Sequence, residues 1–264
     1  MAIYHTRKIL ITVKTYPLPS RKTIEASCTA GITEDGNWVR LFPLPFRYLE
    51  YEKQFKKYQW IEASVTKASD PRPESYKVDL DSIHPFGEPL PTSNNWQIRK
   101  EIVLPLAAPS LCYLQRTRED TEATLGIFKP RCINELIIEP EEHPNWTEQE
   151  LETLNQQSMF DKKGVKLLEK IPFKFKYRFF CNDSKCNGHI LSITDWEMGE
   201  AYRKWQKLYG KQWESYFRQK FENKVIYSFD TYLYVGTVRA HPDVWIIVGL
   251  FYPHKEVFQC HRLK

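Results

Sequence analysis

The chain has 264 residues and a net charge of +5, with 42 % hydrophobic and 14 % aromatic residues, 17 prolines and 10 glycines. This apolar content is enough to fill a core, which excludes a wholly disordered chain. No apolar run approaches the roughly 18 residues of a membrane span. We therefore expect a soluble, cytoplasmic protein with one large domain or two small ones, and no membrane partner.

Charge is unevenly distributed along the chain. Residues 1–100 carry 15 basic and 11 acidic side chains, residues 101–170 carry 8 and 13, and residues 171–264 carry 15 and 9. Two basic parts are thus separated by an acidic one. Such clustering fits either a solvated surface or contact with nucleic acid.

The first part of the chain, residues 1–92, predicts a small β-barrel-like domain. Short runs of alternating apolar and polar residues are separated by corners rich in proline and glycine, as in small closed or half-closed barrels. The predicted strands cover residues 8–16, 23–32, 37–43, 58–67 and 74–79.

The third predicted strand carries a candidate nucleic-acid-binding face. Side chains alternate along a strand, so Trp38, Arg40 and Phe42 share one side. A tryptophan and an arginine on one face can stack a base and bind a phosphate. Arg47 follows in a basic, aromatic-rich stretch. The alternative is that Trp38 and Phe42 are core residues and that Arg40 lies at a barrel end.

Residues 93–264 predict an α+β domain, so the whole chain is expected to be α+β. Short helices are predicted over 95–103 and 110–118, and Thr147 and Glu150 form a capping box that begins another. Strands at 231–237 and 244–252 form a C-terminal hairpin. The second is apolar throughout, which is typical of a central strand covered on both faces.

The predicted domain 93–264 contains a metal knuckle. Cys181, Cys186 and His189 have the spacing Cys-x4-Cys-x2-His, and the intervening residues are turn formers. Zinc favours four tetrahedral sulfur and nitrogen ligands. We expect Cys260 to be the fourth ligand, with His261 and then Cys132 as alternatives. Cys28 and Cys112 are interpreted as buried apolar residues. The alternative is an unmetallated pair of thiols beside a turn histidine.

A basic helix pair follows the knuckle. Residues 194–197 form a second capping box, so Asp195 and Glu197 are interpreted as a helix start. Aromatic residues then recur at helical spacing and Gly210 ends the first helix. Basic side chains on this pair are the strongest candidates for contacts with phosphates: Arg203, Lys204, Lys207 and Lys211.

These features predict a nucleic-acid-binding protein with a structural zinc site, whose partner is DNA or RNA. One alternative is a metal-dependent, nuclease-like hydrolase that gathers His189, Asp195 and Glu197 near the metal. Another is a structural subunit that contacts a protein partner in a larger complex. The sequence contains no phosphate-binding loop, dinucleotide-binding glycine pattern or Gly-x-Ser-x-Gly.

Overall fold

The structure is a computed structural model that describes residues 3–158 and 165–255. It is a mixed α+β fold, as predicted, with an N-terminal barrel, a helical segment and a C-terminal sheet that ends in hairpin strands. No helix within these described ranges is both long and apolar enough to cross a membrane.

The N-terminal part is a closed five-stranded β-barrel. The strands of its sheet are β1 (His5–Lys14), β2 (Leu18–Ser20), β3 (Ile24–Thr33), β4 (Trp38–Leu44), β5 (Trp60–Lys67), β6 (Ser75–Val78) and β7 (His84–Phe86). The barrel has the order β1-β3-β4-β6-β5 and closes because β5 also pairs with β1, while β2 and β7 add to its edges. Alternate apolar residues fill the interior, among them Ile9, Ile11, Val39, Leu41 and Ile61.

The C-terminal part is built on a second seven-stranded sheet. Its strands are β8 (Ala107–Ala108), β9 (Leu125–Phe128), β10 (Cys132–Pro140), β11 (Phe173–Phe180), β12 (His189–Ile193), β13 (Tyr232–Val238) and β14 (His241–Phe251). Their order is β10-β11-β12-β14-β13-β9-β8. The apolar strand β14 is central, as expected, between β12 and β13.

The helices are α1 (Ser93–Val103), α2 (Leu111–Thr121), α3 (Glu148–Ser158), α4 (Trp196–Tyr209) and α5 (Trp213–Arg218), and a π-helical segment, Gln219–Ser228, continues α5. Residues of α2, α4, α5 and the π-helical segment cover one face of the second sheet, whereas α3 lies against β2 and β3 of the barrel. Aromatic residues of α5 pack on β11, where Phe217 stacks on Phe175 with ring centroids 4.4 Å apart. The predicted apolar face of this helix pair is therefore its packing face.

The barrel covers the opposite face of the sheet. A shared core joins Val13 and Ile32 of the barrel to Ile127, Tyr234 and Val248 of the sheet. The predicted division into domains 1–92 and 93–264 stays a prediction. The last strand of the barrel sheet ends at Phe86 and the first strand of the second sheet begins at Ala107, so the strands do not fix a boundary between them.

Candidate metal centre and nucleic-acid surface

Four side chains that can ligate a metal ion converge beside the second sheet. The sulfur atoms of Cys112, Cys181 and Cys186 and a ring nitrogen of His189 all lie within 4.8 Å of one another. Cys112 Sγ is 3.2 Å from His189 Nε2. Three sulfurs and one nitrogen this close together can hold a metal ion.

Two separate parts of the chain supply these four donors. Cys112 is in the first turn of α2, whose N-cap Ser110 accepts a hydrogen bond from the Tyr113 N–H at 2.9 Å. The other three donors lie at the connection between β11 and β12: Cys181 directly follows β11 and His189 begins β12. Gly188 has a φ of +91°, a conformation that favours glycine and turns the chain back into β12.

The pKa values of Cys186 and Cys112 are shifted in opposite directions. The backbone N–H groups of Cys181 and Gly188 donate to Cys186 Sγ at 3.2 and 3.4 Å. Although burial opposes ionisation, these bonds lower the pKa of Cys186. Burial, and then the neighbouring Cys181, raise the pKa of Cys112 to about 12. Clustered thiols of this kind ionise together only when a cation neutralises them.

The sequence predicted three of these four donors. Cys181, Cys186 and His189 come together, whereas the predicted fourth ligand, Cys260, and the alternative His261 lie outside the described residues. Cys132 is exposed on β10 and is not in the group. The interpretation of Cys112 as a core residue missed its place among the donors. The one pattern near Cys112 in the sequence is Ser110, the N-cap of the helix that contains Cys112.

The hydrolase alternative gathers His189, Asp195 and Glu197 near the metal, where the zinc or a second ion would activate water. His189 begins β12 and Asp195 lies beyond its end, and neither Asp195 nor Glu197 belongs to the group of converging ligand atoms. Asp195 instead caps α4, accepting from the Met198 N–H at 3.1 Å. It also pairs with Lys57, whose Nζ is 3.3 Å from Asp195 Oδ2 and 3.7 Å from Glu197 Oε2. The structure therefore does not bring these three residues together.

The predicted barrel face is turned toward the second sheet. Trp38 packs edge-on against Tyr234, with ring centroids 6.1 Å apart. Arg40 is only 2 % exposed and donates to Glu74 Oε1 at 3.2 Å and to the Thr124 carbonyl at 2.8 Å. Trp38 and Arg40 therefore lie at the contact with the second sheet, while Phe42 is partly buried and Arg40 lies within β4 rather than at a barrel end.

Two further predicted arginines are held by carboxylates. Arg47 Nη1 donates to Glu25 Oε2 at 3.1 Å, and its other terminal nitrogen bonds the Lys166 carbonyl. Arg203 donates twice to Glu169, at 2.6 and 3.0 Å. Both guanidinium groups therefore already have anionic partners.

The three predicted lysines of the helix pair are exposed. Lys204 and Lys207 lie three residues apart and so share a face of α4, and Lys211 is in the turn that follows. Within 3–158 and 165–255, no carboxylate lies at ion-pair distance from any of the three.

Two exposed tyrosines lie on the same helix pair as these lysines. Tyr209 ends α4 and Tyr216 is in α5, and their rings stack with centroids 3.7 Å apart and planes 13° apart. The residues are 40 % and 36 % exposed. We name this region the Lys–Tyr surface, which consists of Lys204, Lys207, Tyr209, Lys211 and Tyr216. Exposed aromatics beside lysines are the combination that binds single-stranded nucleic acid in other proteins.

Comparison with protein families divides the chain into two matches. Residues 5–105 match Domain of unknown function (DUF8758), and residues 107–263 match Domain of unknown function (DUF8757). No curated protein matches the chain. The second match covers more than half of the residues and contains all four side chains that could ligate a metal ion. The chain therefore belongs to the family Domain of unknown function (DUF8757).

Proposed function

We propose that this protein binds nucleic acid through the Lys–Tyr surface, and that a structural zinc ion stabilises the part of the fold that carries it. The observation that carries the proposal is the exposed, stacked pair Tyr209–Tyr216, on the same helix pair as three lysines that have no carboxylate partner in the described residues. The lysines would bind phosphates and the tyrosines would stack bases, a combination that tolerates many sequences.

The donor set supports zinc as the metal. Three cysteines and one histidine form the Cys3His set typical of structural zinc sites, and as thiolates and imidazole they would supply all four ligands that zinc favours. The ion would tie the N-terminus of α2 to the β11–β12 connection. A closed site of this kind leaves no position for a reacting water, so its contribution is to stability.

A comparison of two triple variants tests the nucleic-acid proposal. The first, Lys204→Gln with Lys207→Gln and Lys211→Gln, removes the basic side chains of the Lys–Tyr surface. The second makes the same charge change at exposed barrel lysines, Lys22→Gln with Lys56→Gln and Lys77→Gln. Fluorescence anisotropy with labelled single-stranded DNA, single-stranded RNA and duplex DNA of about 15 nucleotides measures the affinity.

We expect the wild-type protein to bind single strands at low salt, and the first variant to lose at least about tenfold in affinity. The barrel variant has the same change in net charge, and its affinity should stay within about twofold of the wild-type affinity. Equal losses in the two variants, or no binding by the wild type at low salt, would overturn the proposal.

A further inference from the structure

A cavity lies between the barrel and the second sheet, away from both the metal ligands and the Lys–Tyr surface. Its volume is about 720 Å³, within the roughly 300–1,000 Å³ range of small-molecule sites. Its walls are largely apolar and include five aromatic side chains: Tyr16, Phe42, Trp146, Phe173 and Phe175. A planar ring can therefore be stacked or packed edge-on inside it.

Two side chains that line the cavity have buried polar atoms whose hydrogen bonds are incomplete. Arg40 is almost fully buried, and its terminal nitrogens bond Glu74, Thr124 and Thr237. Arg40 Nε and Thr237 Oγ1 have no partner within the described part of the chain. Both residues line the cavity. A ligand that offers a hydrogen-bond acceptor and donor at one edge would complete these bonds, after a small shift of either side chain.

Cationic side chains lie at the mouth of the cavity. Arg239 lines it and is 61 % exposed, so its guanidinium reaches solvent there, although its Nε lies 3.8 Å from Asp70 Oδ2. The Lys170 ammonium lies 5.1 Å above the Trp146 ring and donates to the Asn145 carbonyl. The neighbouring Glu141 carboxylate is paired with Lys174 at 3.1 Å. The mouth therefore favours an anionic group.

We infer that this cavity binds a nucleotide, with the base inside against the aromatic walls and the phosphate at the mouth. A base has polar edges that match Arg40 Nε and Thr237 Oγ1, whereas a hydrocarbon chain would leave both atoms unpaired. A free mononucleotide and an unstacked nucleotide of a strand share this chemistry. The inference stands on the cavity and does not depend on the Lys–Tyr surface.

Calorimetric titration tests the inference with the four ribonucleoside 5′-monophosphates, their nucleosides and dodecanoate. Ala240→Trp obstructs the cavity from an exposed turn, and Val244→Trp is the matched control, because Val244 is exposed on the same hairpin but does not line the cavity. Arg239→Gln removes a charge at the mouth. Thr237→Val removes a hydroxyl that makes no hydrogen bond in the described residues.

We expect at least one monophosphate to bind with one site per chain, and to bind the Val244→Trp variant equally well. Ala240→Trp should abolish binding. Arg239→Gln should weaken the monophosphate, but not its nucleoside, by about fivefold. Thr237→Val should weaken binding of both the monophosphate and its nucleoside by about fivefold, without lowering the melting temperature of the protein.

Competition with a labelled oligonucleotide distinguishes the two sources of the nucleotide. If mononucleotides compete, the strand inserts a base into the cavity; if they do not, the ligand is a free nucleotide.

Three results would overturn the inference: no binding of any monophosphate or nucleoside, binding that Ala240→Trp leaves intact, or binding of dodecanoate alone. Failure of the Lys–Tyr proposal is distinguishable from these results. In that case the Lys204, Lys207 and Lys211 variant would bind oligonucleotides like the wild type, while its mononucleotide binding would still require an open cavity.

Discussion

Arg40 shows how far a single residue can be interpreted from sequence. Strand alternation correctly places Trp38, Arg40 and Phe42 on one face of β4. It does not say what that face contacts, because the contact is with β13 and the chain near Thr124, far away in sequence. The guanidinium that looked suited to a phosphate is bound to Glu74 inside the protein.

We predict that Arg40→Met destabilises the protein by about 3–5 kcal/mol, because Glu74 would keep a buried charge without its partner. The double variant Arg40→Met, Glu74→Met should recover most of this loss, since neither charge is then buried. Urea unfolding measures both free energies. A loss below about 1 kcal/mol for the single variant, or an equally unstable double variant, would contradict this account.

Lys14 is a second residue whose environment the sequence does not reveal. Its ammonium lies 3.6 Å from the centroid of the Phe46 ring and 4.9 Å from that of Trp196. Burial lowers the pKa of Lys14 from 10.5 to about 8, although Glu197 opposes the shift. The folded protein therefore binds this proton less tightly than the unfolded chain does.

This shift predicts a pH dependence of stability. Between pH 8 and 10.5 the unfolded chain binds more protons at this position, so the free energy of unfolding rises with pH across that window. Lys14→Met removes this contribution. Relative to the variant, the wild type should gain about 1–3 kcal/mol between about pH 7.5 and pH 10. Identical pH dependence of urea unfolding in the two proteins would contradict the assignment.

At the scale of the elements, short sequence patterns predicted where two helices begin. The capping box at α3 is present: the Thr147 N–H donates to Glu150 Oε2 at 2.8 Å, and the Glu150 N–H donates to Thr147 Oγ1 at 3.3 Å. Four-residue signals of this kind are local and can be identified in a sequence. The second predicted box is shifted by one residue, because the Asp195 carboxylate is what caps α4.

The candidate metal centre shows what a local sequence pattern cannot reveal. The turn between β11 and β12 brings three donors together within nine residues, so their spacing alone indicates a site. Cys112 lies on a different element, 69 residues before Cys181, and only the packing of α2 beside this turn places it there. Spacing carries no information about a ligand contributed by another element.

We predict that Cys112→Ser loses zinc, whereas Cys132→Ser retains it, because Cys132 lies outside the group. Elemental analysis should give one zinc per wild-type chain. Zinc affinity in the Cys112→Ser variant should fall by more than about 100-fold, since even changes beyond the ligands cost 10–100-fold. Its melting temperature should fall by several degrees. Full zinc content in Cys112→Ser, with loss in Cys260→Ser, would favour the ligand set expected from the sequence.

At the scale of the whole molecule, the barrel and the second sheet share one core and several polar contacts. Lys57 of the barrel pairs with Asp195 at the start of α4, and Thr15 forms a β-bridge with the same residue. The two family matches meet at residues 105 and 107, so each contributes part of the cavity between the sheets. This association buries one predicted basic face and leaves the lysines of α4 exposed.

The salt dependence of single-strand binding tests this account most directly. Each phosphate that a lysine neutralises on a single strand contributes about −0.7 to the slope of log affinity against log salt. If Lys204, Lys207 and Lys211 each bind a phosphate, their replacement by glutamine should reduce the steepness of the wild-type slope by about 2. The variant with three barrel lysines replaced should keep the wild-type slope. A slope that the helix variant leaves unchanged would contradict the proposed nucleic-acid surface.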